Sequence, residues 1–214
     1  MIEEIKVPKA VIRRLPRYYR YLEELINEGI ERISSSELSE RMGVTASQIR
    51  QDLNHFGGFG QQGYGYKVEY LYREIGRILG LDGINHIILI GAGNLGRSLA
   101  QYTNYRRRGF LIEAIFDNDP EKIGTMVHNI PVRDVNDLPA YIKENPVDIA
   151  TLTIPKEEAV KVAEVLVRSG IKAIWNFAHT DLHVPEDVSV ENVHLSESLM
   201  NLSYKVKERK KEEK

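Results

Sequence analysis

The sequence predicts an α/β fold in two parts: an amino-terminal winged helix-turn-helix domain over residues 1–80 and a Rossmann-type, doubly wound parallel-sheet domain over 81–194, with a helix and charged tail at 195–214. Three observations support it. Strand and helix patterns alternate from residue 86 onward, the order that builds a parallel sheet covered by helices. The segment Gly91-Ala92-Gly93-Asn94-Leu95-Gly96 stands between an apolar run and a helical pattern. The chain before it reads as short helices broken by one glycine-rich stretch.

Composition bounds the partners. At 214 residues and 42% hydrophobic, the chain can bury cores in two small domains. A net charge of −2 advertises no polyanionic partner globally, which leaves room for a local basic patch. The absence of cysteine excludes disulfides and thiolate metal sites and fits a cytosolic protein. Met1-Ile2-Glu3-Glu4 lacks the basic start and apolar core of a signal peptide. No apolar run approaches the ~18 residues of a membrane span. The expectation is a cytoplasmic protein with no membrane partner.

In the amino-terminal domain, helices are expected at 9–28, 36–42, 46–55 and 69–79. Ser34 and Glu37 form a capping box, Gly43 supplies a turn, and Thr45-Ala46-Ser47-Gln48 forms a second box. Two short helices joined by such a turn make a helix-turn-helix. In the second helix Ile49, Leu53 and Phe56 share the core face. Ser47, Gln48, Arg50, Gln51 and Asn54, with Thr45 at the start, are left outward. These residue types read base edges in the major groove, though an ordinary polar helix face has the same composition. Residues 57–66 alternate aromatics with glycines and suit a wing hairpin, with Gln62, Gly63 and Tyr66 as its DNA contacts. Lys6, Lys9, Arg13, Arg14, Arg17 and Arg20 lie in a stretch without acidic residues. Arg13, Arg14 and Arg17 are candidate phosphate contacts, or alternatively contacts within the domain.

In the second domain strands are expected at 86–90, 111–116, 147–153, 171–177 and 190–193, and helices at 95–104, 137–144 and 157–168. In the glycine loop the first glycine allows the tight turn, the second a close approach of backbone to a pyrophosphate, and the third tight helix–strand packing. The helix start then offers free N–H groups and a positive dipole end. Asp117, 21 residues after Gly96, ends the second strand, where a carboxylate accepts from ribose hydroxyls and repels a 2′-phosphate. No arginine follows it nearby, which favours NAD(H) over NADP(H). Capping of the Asn118-Asp119-Pro120 turn is the other reading. Arg106-Arg107-Arg108 reads as a solvated charge cluster at a helix end.

Nothing marks catalysis. His128, His179, His183 and His194 have no acid–base partner identifiable in the sequence, so no catalytic or metal-ligating residue is assigned. A dehydrogenase also needs a second domain to orient substrate, and the helix-turn-helix takes that place. The chain is expected not to be an enzyme. An NAD-dependent oxidoreductase with a helical appendage, and an interaction module with CoA as ligand, remain as other classes. Near the carboxyl end, Leu195, Leu199, Leu202 and Val206 put one apolar stripe on a helix over 196–209.

Taken together, Val44-Thr45-Ala46-Ser47-Gln48-Ile49-Arg50-Gln51-Asp52-Leu53, the wing, the glycine loop and Trp175-Asn176-Phe177-Ala178 resemble the Rex family of redox-sensing transcriptional repressors, over nearly the whole chain. The resemblance implies a homodimer on near-palindromic double-stranded operator DNA, with the final helix domain-swapped between the two domains of the partner. It implies that NADH releases the protein from DNA while NAD+ leaves it bound. By position, the resemblance puts the pyrophosphate on 91–96 and the adenosine ribose on Asp117. It lines the cleft with Thr153, Ile154 and Pro155 and sets Asn176, Phe177 and Ala178 near the nicotinamide. Arg20 and Tyr102 match positions that couple cofactor state to domain orientation. His194 stands where family members often carry an acidic residue, which puts the usual pairing with Arg20 in question.

Overall fold

The computed structural model describes residues 7–54, 60–61 and 64–212. The chain divides into two compact units, 1–83 and 84–214.

The first unit opens with α1 (Lys9–Ile12) and α2 (Leu15–Asn27). One helix over 9–28 was expected, and the chain instead breaks at Arg13 and Arg14. Pro16 in the first turn of α2 explains the break: it has no N–H, and its ring would strike the Ile12 carbonyl of a continuous helix. Next come β1 (Arg32–Ile33), α3 (Ser35–Met42) and α4 (Ala46–Asn54). Both halves of the Ser34–Glu37 capping box form, and Gly43 ends α3 in the left-handed region at φ 62°. The unit closes with β2 (Gly60–Gln61), β3 (Gly65–Lys67) and α5 (Val68–Ile78). β3 lies between β1 and β2 in a small antiparallel sheet. Leu15, Tyr18, Leu22, Leu38, Ile49, Leu53, Leu71 and Ile75 form one core, so the helix-turn-helix and wing strands share a single apolar centre.

The second unit begins with β4 (Asn85–Ile90), α6 (Asn94–Ala100), α7 (Asn104–Arg107) and β5 (Phe110–Asp117). The expected helix 95–104 is thus two short pieces. A hairpin absent from the sequence reading follows, β6 (Met126–Val127) and β7 (Ile130–Asp134). Its turn puts His128 and Asn129 at φ 47° and 70° without a glycine to announce it. Then come α8 (Leu138–Glu144), β8 (Ile149–Leu152), α9 (Lys156–Arg168), β9 (Ala173–Asn176), β10 (Ser189–Asn192) and α10 (Leu195–Glu212).

The seven-stranded sheet runs β10-β9-β8-β4-β5-β7-β6, parallel except for the β6–β7 pair. Its six parallel strands reverse direction of travel between β4 and β8, the doubly wound order that opens a crevice at that point. Ile88, Ile90, Ala114 and Phe116 pack on one face with Leu138, Ala163 and Leu166 of α8 and α9. Leu89 and Ile115 pack on the other with Leu99 and Ala100. That second face is covered unevenly. Ile87, Ile112, Ile149, Ala173 and Trp175 line an apolar trough of about 370 Å³. Along α10, Leu195, Leu199, Leu202 and Val206 are all exposed.

Candidate nucleotide site and nucleic-acid interface

The nucleotide site sits at the strand reversal. Leaving β4, the chain turns at Gly91 with φ 106°, where a side chain would press within 2.6 Å of the Thr153 carbonyl. Thr153 leaves β8 and closes the other side, its hydroxyl donating to the carbonyls of Ile90 at 3.0 Å and Gly91 at 2.9 Å. A Cβ at Gly96 would collide with the Gly91 carbonyl and the Thr153 hydroxyl. Gly93 differs: a Cβ there meets nothing within 4 Å. The outer glycines are fixed by the protein's own packing, while the middle one faces open space, as the approach of a phosphate requires.

Asp117 ends β5 with only 6% exposure. Its Oδ2 accepts from the Ala92 amide at 2.6 Å, and its Oδ1 from the Asp119 amide at 3.0 Å. The Lys122 ammonium lies 3.3 Å from Oδ1 and 3.4 Å from Oδ2. Burial pushes this carboxyl up, but the Asp119 and Ala92 amides and the Lys122 charge hold it below the ordinary value. Asp117 therefore braces the turn after β5 and ties it to the glycine loop through Ala92. Lys122 was missed. Its spacing of five residues from Asp117 along the turn was the available signal.

Around the crevice, Ile154 and Pro155 lead into α9, with Pro155 at its N-cap. Asn176, Phe177 and Ala178, expected near a nicotinamide, form the end of β9 and the loop after it. Asn176 is fully buried, donating to the Thr180 carbonyl and Asn192 Oδ1 at 2.8 Å each and accepting from the Ala178 amide at 3.0 Å. It shapes the loop after β9, and Ala178 is buried with it. Phe177 is half-buried, 4.6 Å edge-to-face from Trp175. Trp175 meets Tyr105 at 5.8 Å, and Tyr105 meets Tyr102 at 4.7 Å, so four aromatics run from the loop after α6 to the crevice. His194 Nδ1 lies 2.8 Å from Glu197 Oε1, and its ring stands edge-on to His179 at 5.0 Å.

In the first unit, Thr45, Ser47, Arg50, Gln51 and Asn54 are exposed on and beside α4, and Arg13 is exposed ahead of α2. Thr45 caps α4 by accepting from the Gln48 amide at 3.2 Å. The reciprocal half of that box does not form, because the Gln48 side chain donates to Asp52 Oδ1 at 2.9 Å instead. Asp52, unassigned in the sequence reading, is 1% exposed and takes Arg14 Nε at 2.7 Å, Arg14 Nη2 at 2.6 Å and the Tyr18 hydroxyl at 2.9 Å. Burial works to raise this carboxyl, and donors from Arg14, Tyr18 and Gln48 keep it lowered. Arg14 is thus engaged inside the domain. Arg17 is exposed and donates to the Met42 carbonyl at the end of α3. Arg50 Nη1 donates to the Ser35 hydroxyl at 2.9 Å. Tyr66, expected on the DNA face, is 8% exposed and belongs to the core, where pairing with Ile33 on β1 places it. Arg20 lies with its guanidinium 5.0 Å from the Tyr21 ring centre. The expected contacts Gln62 and Gly63, and Phe56, fall outside the described residues.

Comparison with known proteins bears on both sites. Residues 6–54 match the family described as "Putative DNA-binding protein N-terminus", and residues 82–180 the family described as "CoA binding domain". The chain is 56% identical over 208 residues to the redox-sensing transcriptional repressor Rex of Thermoanaerobacter pseudethanolicus, covering 97% of this chain and 93% of that one. It is 55% identical over 210 residues to the same-named protein of Clostridioides difficile, covering 98% and 100%. Among solved structures it resembles RSP in complex with β-NAD+ and operator DNA, with TM-score 0.91 and 57% identity over 95% of this chain and 94% of that one. It likewise resembles RSP in complex with β-NADH, at TM-score 0.88 and 54% identity over 96% of both chains.

Proposed function

The chain belongs to the Rex family of redox-sensing transcriptional repressors, and from that premise we propose that it is itself a DNA-binding repressor, not an enzyme, that reports the NADH/NAD+ balance to an operator. The observation that carries the reading is full-length identity near 55% to relatives named for that task, with the glycine loop and Asp117 in nucleotide-binding register. The DNA-binding domain is assigned to residues 1–80, the NAD(H) domain to 81–194 and the dimer helix with its tail to 195–214.

The residues present fit a dinucleotide. The open space over Gly93 admits a pyrophosphate, with the amides of 91–96 as donors and Thr153 to Pro155 as the facing wall. Asp117 accepts the adenosine ribose hydroxyls. Its oxygens already meet several donors, so Lys122 gives way as the ribose arrives. When bound, the nicotinamide supplies the redox state that is sensed.

Two surfaces of the second unit support a dimer: the exposed stripe of α10 and the trough over Ile87, Ile149 and Trp175 are apolar areas suited to burial by a second copy. Two recognition helices on a dimer bind a near-palindrome only at the matching half-site spacing, so a modest rotation releases DNA. The cofactor drives that rotation through different affinities for the two dimer states. Among the described residues no helix is long and apolar enough to cross a membrane, and the reading places the protein in the cytoplasm.

The test is fluorescence anisotropy on a near-palindromic operator duplex titrated with NADH, NAD+ and CoA. NADH should release the protein, NAD+ should leave it bound, and CoA should act on neither state. DNA binding that is absent, or indifferent to NADH, overturns the reading.

A further inference from the structure

The interior of the first unit fixes the polarity of one side-chain amide on α4. Asp52 is almost wholly buried, and the Arg14 guanidinium grips both its oxygens, so it stands as an ionised carboxylate that only accepts hydrogen bonds. Gln48 lies one turn earlier on the helix, its amide 2.9 Å from Asp52 Oδ1. A carboxylate has no proton to give, so the amide atom facing it is Nε2 and Oε1 is turned away. Arg14 reaches Asp52 from the break between α1 and α2, and the Tyr18 hydroxyl holds Oδ2 from α2. The carboxylate is held from three sides and does not rotate to release Gln48.

Gln48 is the third residue of α4 and is partly exposed. The amino-terminal end of a recognition helix is the part that addresses base edges. We propose that Gln48 is the base-discriminating residue of α4, and that the Arg14–Asp52 pair presets it to read adenine. Its outward Oε1 accepts from adenine N6, and the second hydrogen on Nε2 is free for adenine N7. Cytosine offers N4 alone. Guanine and thymine place a carbonyl oxygen against Oε1, acceptor facing acceptor. Arg14, expected to grip phosphate, thereby acts on sequence choice through two intervening side chains. This proposal rests on the reading of α4 as the operator-binding helix.

The experiment is selection of duplexes from a randomised pool by the full chain without NADH, with the recovered bases read position by position. Wild type should require adenine at one pair of symmetry-related positions. Gln48→Met should lose that preference, by about tenfold or more, and keep the others. Gln48→Lys, which can only donate, should move the same position to guanine. Asp52→Asn, which lets the amide turn over, should relax it. Gln48 is not a core residue, so its variants decide the matter even if Asp52→Asn fails to fold. A Gln48→Met profile identical to wild type, or a responsive position that prefers guanine or thymine in wild type, overturns the proposal. Recovery of no sequence by wild type overturns both this proposal and the operator reading. Recovery of a sequence that Gln48 does not influence overturns this proposal alone.

Discussion

Two buried aspartates organise the two units, and they are held in opposite ways. Asp52 is gripped by side chains from far along the chain, Arg14 and Tyr18, at separations of 38 and 34 residues. Asp117 is held by the backbone amides of Ala92 and Asp119 and by nearby Lys122. Burial pushes both carboxyls up, and the donors around them bring both below the ordinary value. A carboxylate held by side chains fixes how α2 and α4 pack. One held by amides fixes the course of a loop. The difference predicts where damage at each will be felt.

The largest effect should follow Asp52→Ala. The Tyr18 hydroxyl, buried with its ring at 0% exposure, loses its acceptor, while Arg14, at 37% side-chain exposure, turns to water. The expected loss is about 3 kcal/mol in urea unfolding, with operator binding lost and NADH binding retained by the second unit. Adding Tyr18→Phe should recover part of it, because removing both partners costs less than orphaning one. A loss within about 0.5 kcal/mol for Asp52→Ala would sink the account of that pair.

A glycine pair sharpens the comparison next. Gly96→Ala drives a methyl group into the Gly91 carbonyl and should cost about 2 kcal/mol, together with the NADH response. Gly93→Ala meets open space, so stability should change by no more than about 0.5 kcal/mol. Its NADH affinity should still fall about tenfold, because the methyl group occupies the approach to the backbone. Thermal unfolding and NADH titration on both variants separate packing from binding. Equal stability losses in the two would show that the loop is not built as described.

How each site showed in the sequence follows the same division. The strand, the glycine spacing and the acidic residue 21 positions on are local relations, so the glycine turn, the strand that ends at Asp117 and the parallel, doubly wound class of the sheet were legible. The Ser34–Glu37 box and Gly43 turn were legible for the same reason. Asp52 was not, because Arg14 and Tyr18 reach it from the α1–α2 break and from α2, and no local pattern marks a residue that meets an arginine 38 positions away. For Arg14 and Arg17 the sequence left phosphate and domain contacts both open, since a basic run does not show which guanidiniums tertiary structure will recruit. Tyr66 looked like a wing residue until β3 paired with β1 and turned it inward. The β6–β7 hairpin is too short for periodicity and turns without glycine.

Asp117→Ala should cost less stability than Asp52→Ala, about 1–2 kcal/mol, from the amides of Ala92 and Asp119 that it strands. NADH should then release DNA at about tenfold higher concentration, with DNA affinity in its absence unchanged. Both carboxyls are lowered in the folded chain, so their stabilisation is complete above the ordinary value of 3.8 and is lost as pH falls through the folded values. Acid unfolding of Asp117→Ala should therefore be shallower than that of wild type. Loss of DNA affinity without NADH in this variant would mean that Asp117 does not act through the loop.

The smallest effect has the opposite sign. The hydrogen bond to Glu197 raises His194 above 6.5, against some desolvation, with the Glu197 and Asp181 charges adding to it. A group whose folded value is raised contributes fully below its ordinary value, and that contribution disappears as pH climbs through the folded one. His194 thus steadies the start of α10 on the acid side of neutrality, where both aspartates are already ionised and constant. The contact is exposed and short in sequence, so the effect is a shift of at most a few degrees in melting temperature. Across about pH 6 to pH 8, wild type should lose that increment while His194→Gln stays level. Parallel curves for the two proteins would remove His194 from any role in how α10 is held, leaving the pairing with Glu197 as a surface contact of no consequence.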